Sequence, residues 1–248
     1  MSAALKPPLT AASNVHDALK REGHAVLSAN ALATLCGVRS QDFSAWSGRW
    51  NDLPNDRYLL DGGRYRQRRH SCFIVRDSVV EAVPQRPHWQ SVEYNALHGG
   101  IERHFEPMAP EWVQDSAWQA LLGGLGHCAS RLIGVQPWHV EAHPFRITTA
   151  GGIGRPTPEG AHRDGVDFVA VILVARVGIK GGETRVFDAH GPTGQRFTLE
   201  EPFSALLLDD ARVIHETTPI QPLDPAQEGH RDTLVLTYRA KGFQGPAN

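Results

Sequence analysis

Thirteen histidines and 27 acidic residues in 248 positions would give about 1.4 His-x-Asp/Glu triplets by chance. The chain has four: His104-Phe-Glu106, His139-Val-Glu141, His162-Arg-Asp164 and His230-Arg-Asp232. On extended backbone residues i and i+2 share a face, so both side chains of such a triplet can point at one ion. Context separates His162 and Asp164 from the rest. They sit where the Gly/Pro-rich stretch GGIGRPTPEG runs into the apolar segment DFVAVILVARV. A third ligand should come from a later strand passing beside the first. His215, 53 residues on, lies in the apolar pattern RVIHETTPI, which otherwise has no use for an imidazole. Two imidazoles and one carboxylate on one face of an octahedron leave three positions open, as in non-haem Fe(II) oxygenases. The same spacing fits equally well a loop hydrogen bond between His162 and Asp164 with an ordinary core histidine at 215.

If 2-oxoglutarate were to chelate such an iron, its far carboxylate would need a buried anchor. Arginine suits this, because it stays charged and grips a carboxylate with two parallel hydrogen bonds. Arg231 opens the strand RDTLVLTYR, and Arg231, Thr233 and Val235 share one face of it. Arg239, near the end of the same segment, is the competing anchor.

These residues need a scaffold. With 25 basic against 27 acidic residues the net charge is −2, which gives no electrostatic reason to expect nucleic acid or an anionic membrane as partner. No stretch approaches the ~20 apolar residues that span a bilayer. The opening residues lack a secretory layout. Three widely spaced cysteines (Cys36, Cys72, Cys128) form no CxxC pair, which argues against a disulfide framework or a cysteine-based zinc site and fits a reducing cytoplasm. A chain of this length buries roughly 70–75% of its unfolded surface. A single domain over 1–248 is expected.

Residues 1–13 read as a loose lead-in. Residues 14–136 read as a helix-rich part with some strands. Within it, VHDALKREG follows a possible cap at Asn14, HAVLSA suits a short strand, and ANALATLCGV suits a second helix ending at Gly37. Residues 64–80 carry strand composition. Residues 111–135 form the strongest helix pattern, weakened by Gly123, Gly124 and Gly126. From 137 to 242 short apolar segments alternate with Gly/Pro-rich links, the pattern of an antiparallel sandwich or barrel. The fold class is α+β, mainly β, with N-terminal helices packed on a jelly-roll core.

The run RITTAGGIGRPTPEGAHRDGVDFV, then GGETRVFD, DDARVIHETTPI and RDTLVLTYR, resembles the bacterial Fe(II)/2-oxoglutarate dioxygenases typified by L-isoleucine 4-hydroxylase. Upstream, YLLDGGRYRQRRHSCF and EYNALHGGIERHFEP are similar to the same family, so the resemblance covers roughly residues 55–240. It implies a double-stranded β-helix (jelly-roll, cupin-like) core and hydroxylation, or sometimes sulfoxidation, of a free aliphatic L-amino acid. It also implies that His162, Asp164 and His215 ligate iron and that Arg231 with Thr233 holds 2-oxoglutarate. The co-substrates would be 2-oxoglutarate and O2, with ascorbate stimulating and succinate and CO2 released.

A free amino acid needs a cation for its carboxylate and an anion for its ammonium. Arg146 and Thr148, alternating on one strand face, are the candidates for the carboxylate, and Asp167 for the ammonium. Glu183 in GGET reads as structural. Arg64, Arg66, Arg68 and Arg69 in RYRQRRH read as one solvated or salt-bridged strand face, and the six tryptophans as core packing. Two other readings stay open: a hydroxylase of peptidyl or carrier-bound amino acids, and a catalytically silent jelly-roll that senses a metal or ligand.

Overall fold

In a computed structural model that describes residues 5–77 and 79–246, the apolar periodicities expected above become helices and strands with few exceptions. The helices are α1 (Val15–Glu22), α2 (Ala29–Cys36), α3 (Ser40–Ser44), α4 (Pro110–Val113) and α5 (Ser116–Ile133). The first seven strands are β1 (His24–Leu27), β2 (Arg66–Arg68), β3 (Ser71–Arg76), β4 (Val79–Ala82), β5 (Trp138–Thr148), β6 (Phe168–Val177) and β7 (Ile179–Gly181). They are followed by β8 (Thr184–Asp188), β9 (Gly194–Phe197), β10 (Ala205–Asp209), β11 (Val213–Thr217), β12 (Ile220–Pro222) and β13 (His230–Arg239).

One large antiparallel sheet runs β1-β10-β6-β13-β5-β3-β4, with β2 also paired to β5. Two smaller pieces, β11-β8-β9 and β12-β7, complete the double-stranded β-helix. Period-2 alternation gives the large sheet two apolar faces. Even-numbered Val140, Ala142, Ala170, Ile172, Leu234 and Leu236 pack against the helices, together with Trp46, Trp50, Trp112 and Trp118. From the opposite face Val169, Leu173, Leu206 and Leu208 meet Val186, Phe197 and Val213 of the smaller sheet. Pairs of edge-on indoles, such as Trp50 and Trp112 with centroids 4.9 Å apart, fill the helix layer.

Four details differ from the sequence reading. Of the lead-in, residues 1–4 lie outside the described residues, whereas 5–13 are tied down: Thr10 donates to the Val26 carbonyl at 2.7 Å, and Thr198 donates to that of Leu5 at 2.9 Å. Asn14 makes no capping bond, while Ser28 caps α2 by accepting from the Ala31 amide. The 111–135 pattern divides into α4 and α5 because Asp115, capping α5 at the Ala117 amide, also accepts from Trp46 and Arg49. The strands of the N-terminal part join the large sheet itself, β1 at one edge and β3 with β4 at the other.

Two of the glycines of α5, Gly124 and Gly126, are places of close approach. A Cβ on Gly124 would lie 2.8 Å from Cys36 Cα in α2. Gly124→Ala is therefore expected to destabilise. Overpacking against backbone, about 1–3 kcal/mol, outweighs the roughly 1 kcal/mol that alanine gains over glycine inside a helix. Urea denaturation checks this; a midpoint equal to or above the wild type would show that α2 can move away from α5 freely.

Candidate active site

Between β5 and β6 the chain leaves the large sheet and pairs in stages with β11 and β12. Gly154 and Ile220 exchange backbone hydrogen bonds at 3.0 and 2.8 Å. The Thr157 hydroxyl bridges the Thr217 amide and carbonyl. His162 and His215 exchange a third pair at 3.0 and 2.9 Å, which stands their rings side by side with centroids 4.6 Å apart. Beyond this bridge Asp164 lies in a loop, not in the regular strand expected from the sequence, since β6 begins only at Phe168. The buried Asp210 carboxylate fixes that loop by accepting from the amides of Asp164, Gly165 and Val166 at 2.9, 2.8 and 3.1 Å. Gly165 is needed at its position: φ is +74°, and a Cβ would lie 2.4 Å from the Tyr94 ring. Gln244 donates to the Asp164 and Gly165 carbonyls from the other side.

His162, Asp164 and His215 each offer one ligand atom, all within 4.8 Å of one another. Asp164 Oδ1 is 3.8 Å from His162 Nε2, and Oδ2 is 3.9 Å from His215 Nε2. His162 Nδ1 can only donate to the Gly160 carbonyl, at 3.0 Å, so in the neutral imidazole that binds a metal it is Nε2, on the side of Asp164, that carries the lone pair. Burial, with the neighbouring carboxylates of Asp210 and Glu159, pushes Asp164 up to about 7, against the pull of His162. Burial opposes charge on His162, but Asp164 and Glu159 hold its pKa above the ordinary value. A half-buried carboxylate this reluctant to ionise alone would ionise readily beside a divalent cation. The donor set of two imidazoles and one carboxylate fits iron with positions left open.

Further along the same cavity, β13 presents Arg231, Thr233, Val235 and Thr237 on one face, as alternation requires. Arg231 is 3% exposed and its Nε and Nη2 have no hydrogen-bond partner. Burial, with Arg176 nearby, lowers it to about 9, so it stays charged at neutral pH. A charged fork with unused donors fits the far carboxylate of 2-oxoglutarate.

A family model described as 2OG-Fe dioxygenase matches residues 47–237. The chain belongs to this family. It is a 2-oxoglutarate-dependent non-haem iron dioxygenase. A solved structure of a bsmA homolog from Methylobium petroleophilum is 53% identical, with 98% of each chain covered and a TM-score of 0.92. IDO from Bacillus thuringiensis shares the fold at 16% identity and TM-score 0.74, covering 96% of this chain and 100% of that one. The Fe(II)/(alpha)ketoglutarate-dependent dioxygenase TqaL shares it at 21% and 0.68, covering 92% and 86%. A search of curated proteins finds no match.

Not every candidate of the sequence reading reaches the cavity of this dioxygenase. Arg146 and Thr148 lie on the helix-side face of β5, whose alternate residues Glu141, His143, Phe145 and Ile147 line the cavity. Arg146 is spent on a bidentate pair with Asp232 at 2.8 and 2.7 Å. Asp167 accepts from the Ala240 amide at 2.7 Å. Arg239 donates to the carbonyls of Gly242 and Phe243. Glu183 pairs with Arg185 at 2.9 Å. None of these five lines the cavity.

The RYRQRRH arginines divide: Arg64 is exposed and Arg66 and Arg69 are salt-bridged, in line with the sequence reading, but part of the face is turned inward. Arg66 and Arg68 are buried and line the cavity, joined by Arg103 from the bridge between His88 and Arg103. The alternation was legible; that its face covers a cavity was not. A second histidine cluster lies beside them. Glu141 Oε2 accepts from His70 at 2.8 Å and from His88 at 2.6 Å, and Arg68 donates to His143 Nδ1 at 2.6 Å. A guanidinium only donates, so His143 keeps its proton on Nε2 and cannot offer that atom to a metal. With Arg68 and Arg103 nearby, the cluster reads as a hydrogen-bonded network and not as a second ion site.

This network ties stability to pH. Burial holds His88 at about 3, despite Glu141, and burial also lowers His70 and His143. All three are neutral in the fold but take up protons in the unfolded chain below about pH 6.5. The contribution of His88 is therefore full above that pH and falls as pH drops from 6.5 toward 3, by up to about 1.4 kcal/mol per pH unit, and His70 and His143 add to it in the same direction. Urea midpoints at pH 7 and pH 5 should show the fall, and His88→Gln should lessen it. An unaltered slope in that variant would remove His88 from the account.

Proposed function

We propose that this dioxygenase hydroxylates, or sulfoxidises, a free aliphatic L-amino acid, with release of succinate and CO2, as in the group typified by L-isoleucine 4-hydroxylase. In this reading His162, Asp164 and His215 hold Fe(II), and Arg231 with Thr233 grips the far carboxylate of 2-oxoglutarate. The observation that carries it is that one cavity holds both the three-ligand cluster and a buried, unpartnered arginine on the facing strand.

Bound iron and 2-oxoglutarate supply the oxidising power that turns a substrate C–H and O2 into an alcohol. The chain's own residues bind and orient. Gly160 fixes the His162 tautomer that leaves Nε2 free. Asp210 and Gln244 hold the Asp164 loop from two sides. Gln90 donates to Asp164 Oδ1 at 3.4 Å, which limits rotation of the carboxylate. The apolar lining from Phe145, Ile147, Val166, Val171 and Val235 suits an aliphatic side chain and keeps water from it. The stretch 151–160 is pinned to β11 and β12, so the wall it forms is already in place before substrate binds.

The test is succinate release from protein supplied with Fe(II), ascorbate and 2-oxoglutarate, screened against the twenty amino acids. Stimulation by a few aliphatic ones, with a product heavier by one oxygen, is the expected result. Slow uncoupled succinate with no amino acid response would favour a peptidyl or carrier-bound substrate. His162→Ala should abolish turnover while the far-UV spectrum stays native; wild-type turnover in it would sink the iron assignment. Arg231→Ala should raise the KM for 2-oxoglutarate by on the order of 30-fold. An unchanged KM would move the anchor elsewhere.

A further inference from the structure

Besides Arg231, three guanidinium groups line the cavity, and they are not equivalent. Arg66 has its own counter-ion, Asp56, at 2.7 Å. Arg68 and Arg103 have none: among the described residues no carboxylate oxygen lies within ion-pair distance of either. Arg68 is clamped between two rings, its guanidinium carbon 3.9 Å from the Phe105 centroid and 4.4 Å from that of Phe145. Arg103 Nη2 donates to Gln90 Oε1 at 2.9 Å. The Nε of each is buried without a partner, in side chains of residues only 3% and 2% exposed. A guanidinium this deeply buried is costly until an anion meets it.

The complementary group lies on the loop before His162. Glu159 Oε2 is buried and has no hydrogen-bond partner, while Oε1 stands 3.5 Å from His162 Nε2. Glu141, the other acid on the wall, is already engaged by His70 and His88. With Arg66 set against Asp56, and Arg68 and Arg103 offset by Glu141 and Glu159, this part of the cavity is balanced in charge. A balanced site with unused donors and an unused acceptor fits a zwitterion better than a dianion or a neutral molecule. Gln90 bridges Arg103 and Asp164, which puts this charged wall one side chain away from the three-ligand cluster.

We propose that Arg68 and Arg103 hold the α-carboxylate of the substrate and that Glu159 holds its ammonium. The proposal rests on the free amino acid reading above and replaces Arg146, Thr148 and Asp167 in those roles. Arg68 is the more rigid of the two, since the two rings fix the plane of its guanidinium.

The experiment is calorimetric titration under nitrogen of protein loaded with Fe(II) and 2-oxoglutarate. The probes are L-valine, L-leucine, L-isoleucine and L-methionine, their amides, and the matching des-amino acids. Arg68→Met and Arg103→Met should each weaken binding of the best amino acid at least about tenfold, while its amide, lacking the carboxylate, binds weakly and alike to wild type and variants. Glu159→Gln should weaken the amino acid but not its des-amino analogue. The affinity for 2-oxoglutarate should stay the same in the two arginine variants. Arg68→Lys and Arg103→Lys serve where a methionine variant fails to fold; they retain charge but lose the fork, and should still weaken binding. Amino acid binding as tight as wild type in the arginine variants overturns the assignment alone. A wild-type protein that binds 2-oxoglutarate but none of the amino acids overturns the substrate reading together with it.

Discussion

Residues 164–166 are half-buried and carry three backbone N–H groups that no strand partner takes, and the buried Asp210 carboxylate accepts all three. Each would cost about 1–3 kcal/mol if buried unpaired. Asp210 stands in the turn between β10 and β11, five residues before His215. One carboxylate thus locks the loop bearing Asp164 to the turn that delivers His215. The reciprocal bridge between His162 and His215 sets the remaining distance. Burial pushes the Asp210 carboxyl up, and the three amides offset this in part.

The large sheet separates stability from chemistry by parity. Along β13, Asp232, Leu234, Leu236 and Tyr238 are buried on the helix side, whereas Arg231, Thr233, Val235 and Thr237 line the cavity. Along β5 the same rule sends Val140 and Ala142 to the core and Glu141 and His143 to the cavity. The two strands pair over their whole lengths, from His230 against Thr148 to Arg239 against His139. A one-residue slip would exchange the two sets, so the apolar core enforces the geometry of the polar face. Substitutions on the two faces should accordingly be separable in their effects on folding and on ligand binding.

Charge in the cavity is handled by scaffolding and not by solvent. Aromatic rings hold Arg68, a buried aspartate holds Arg66, and two imidazoles hold Glu141. Such an arrangement avoids the reorganisation that flexible, hydrated groups would need when a charged ligand enters. It also explains why so many ionisable groups of this chain lie below one-tenth exposure without unfolding it.

Much of this was legible in the residues themselves. The strand segments from Trp138 to Arg239, the short helices before Gly23 and Gly37, and the shared face of Arg231 and Thr233 follow from periods of 2 and 3.6, which are local. So does the pairing of His162 with Asp164, although its support is a bridge and an aspartate cap and not a continuous strand. What the residues alone left undetermined was which side of a strand meets solvent, core or cavity. Arg146 alternates as cleanly as Arg68, yet one is spent on Asp232 and the other lines the cavity. Gly124 reads as a weak point in a helix and proves to be a contact with Cys36. Alternation states only that two faces differ. The order of strands in the sheet, set by contacts between residues far apart in the chain, decided what each face would touch.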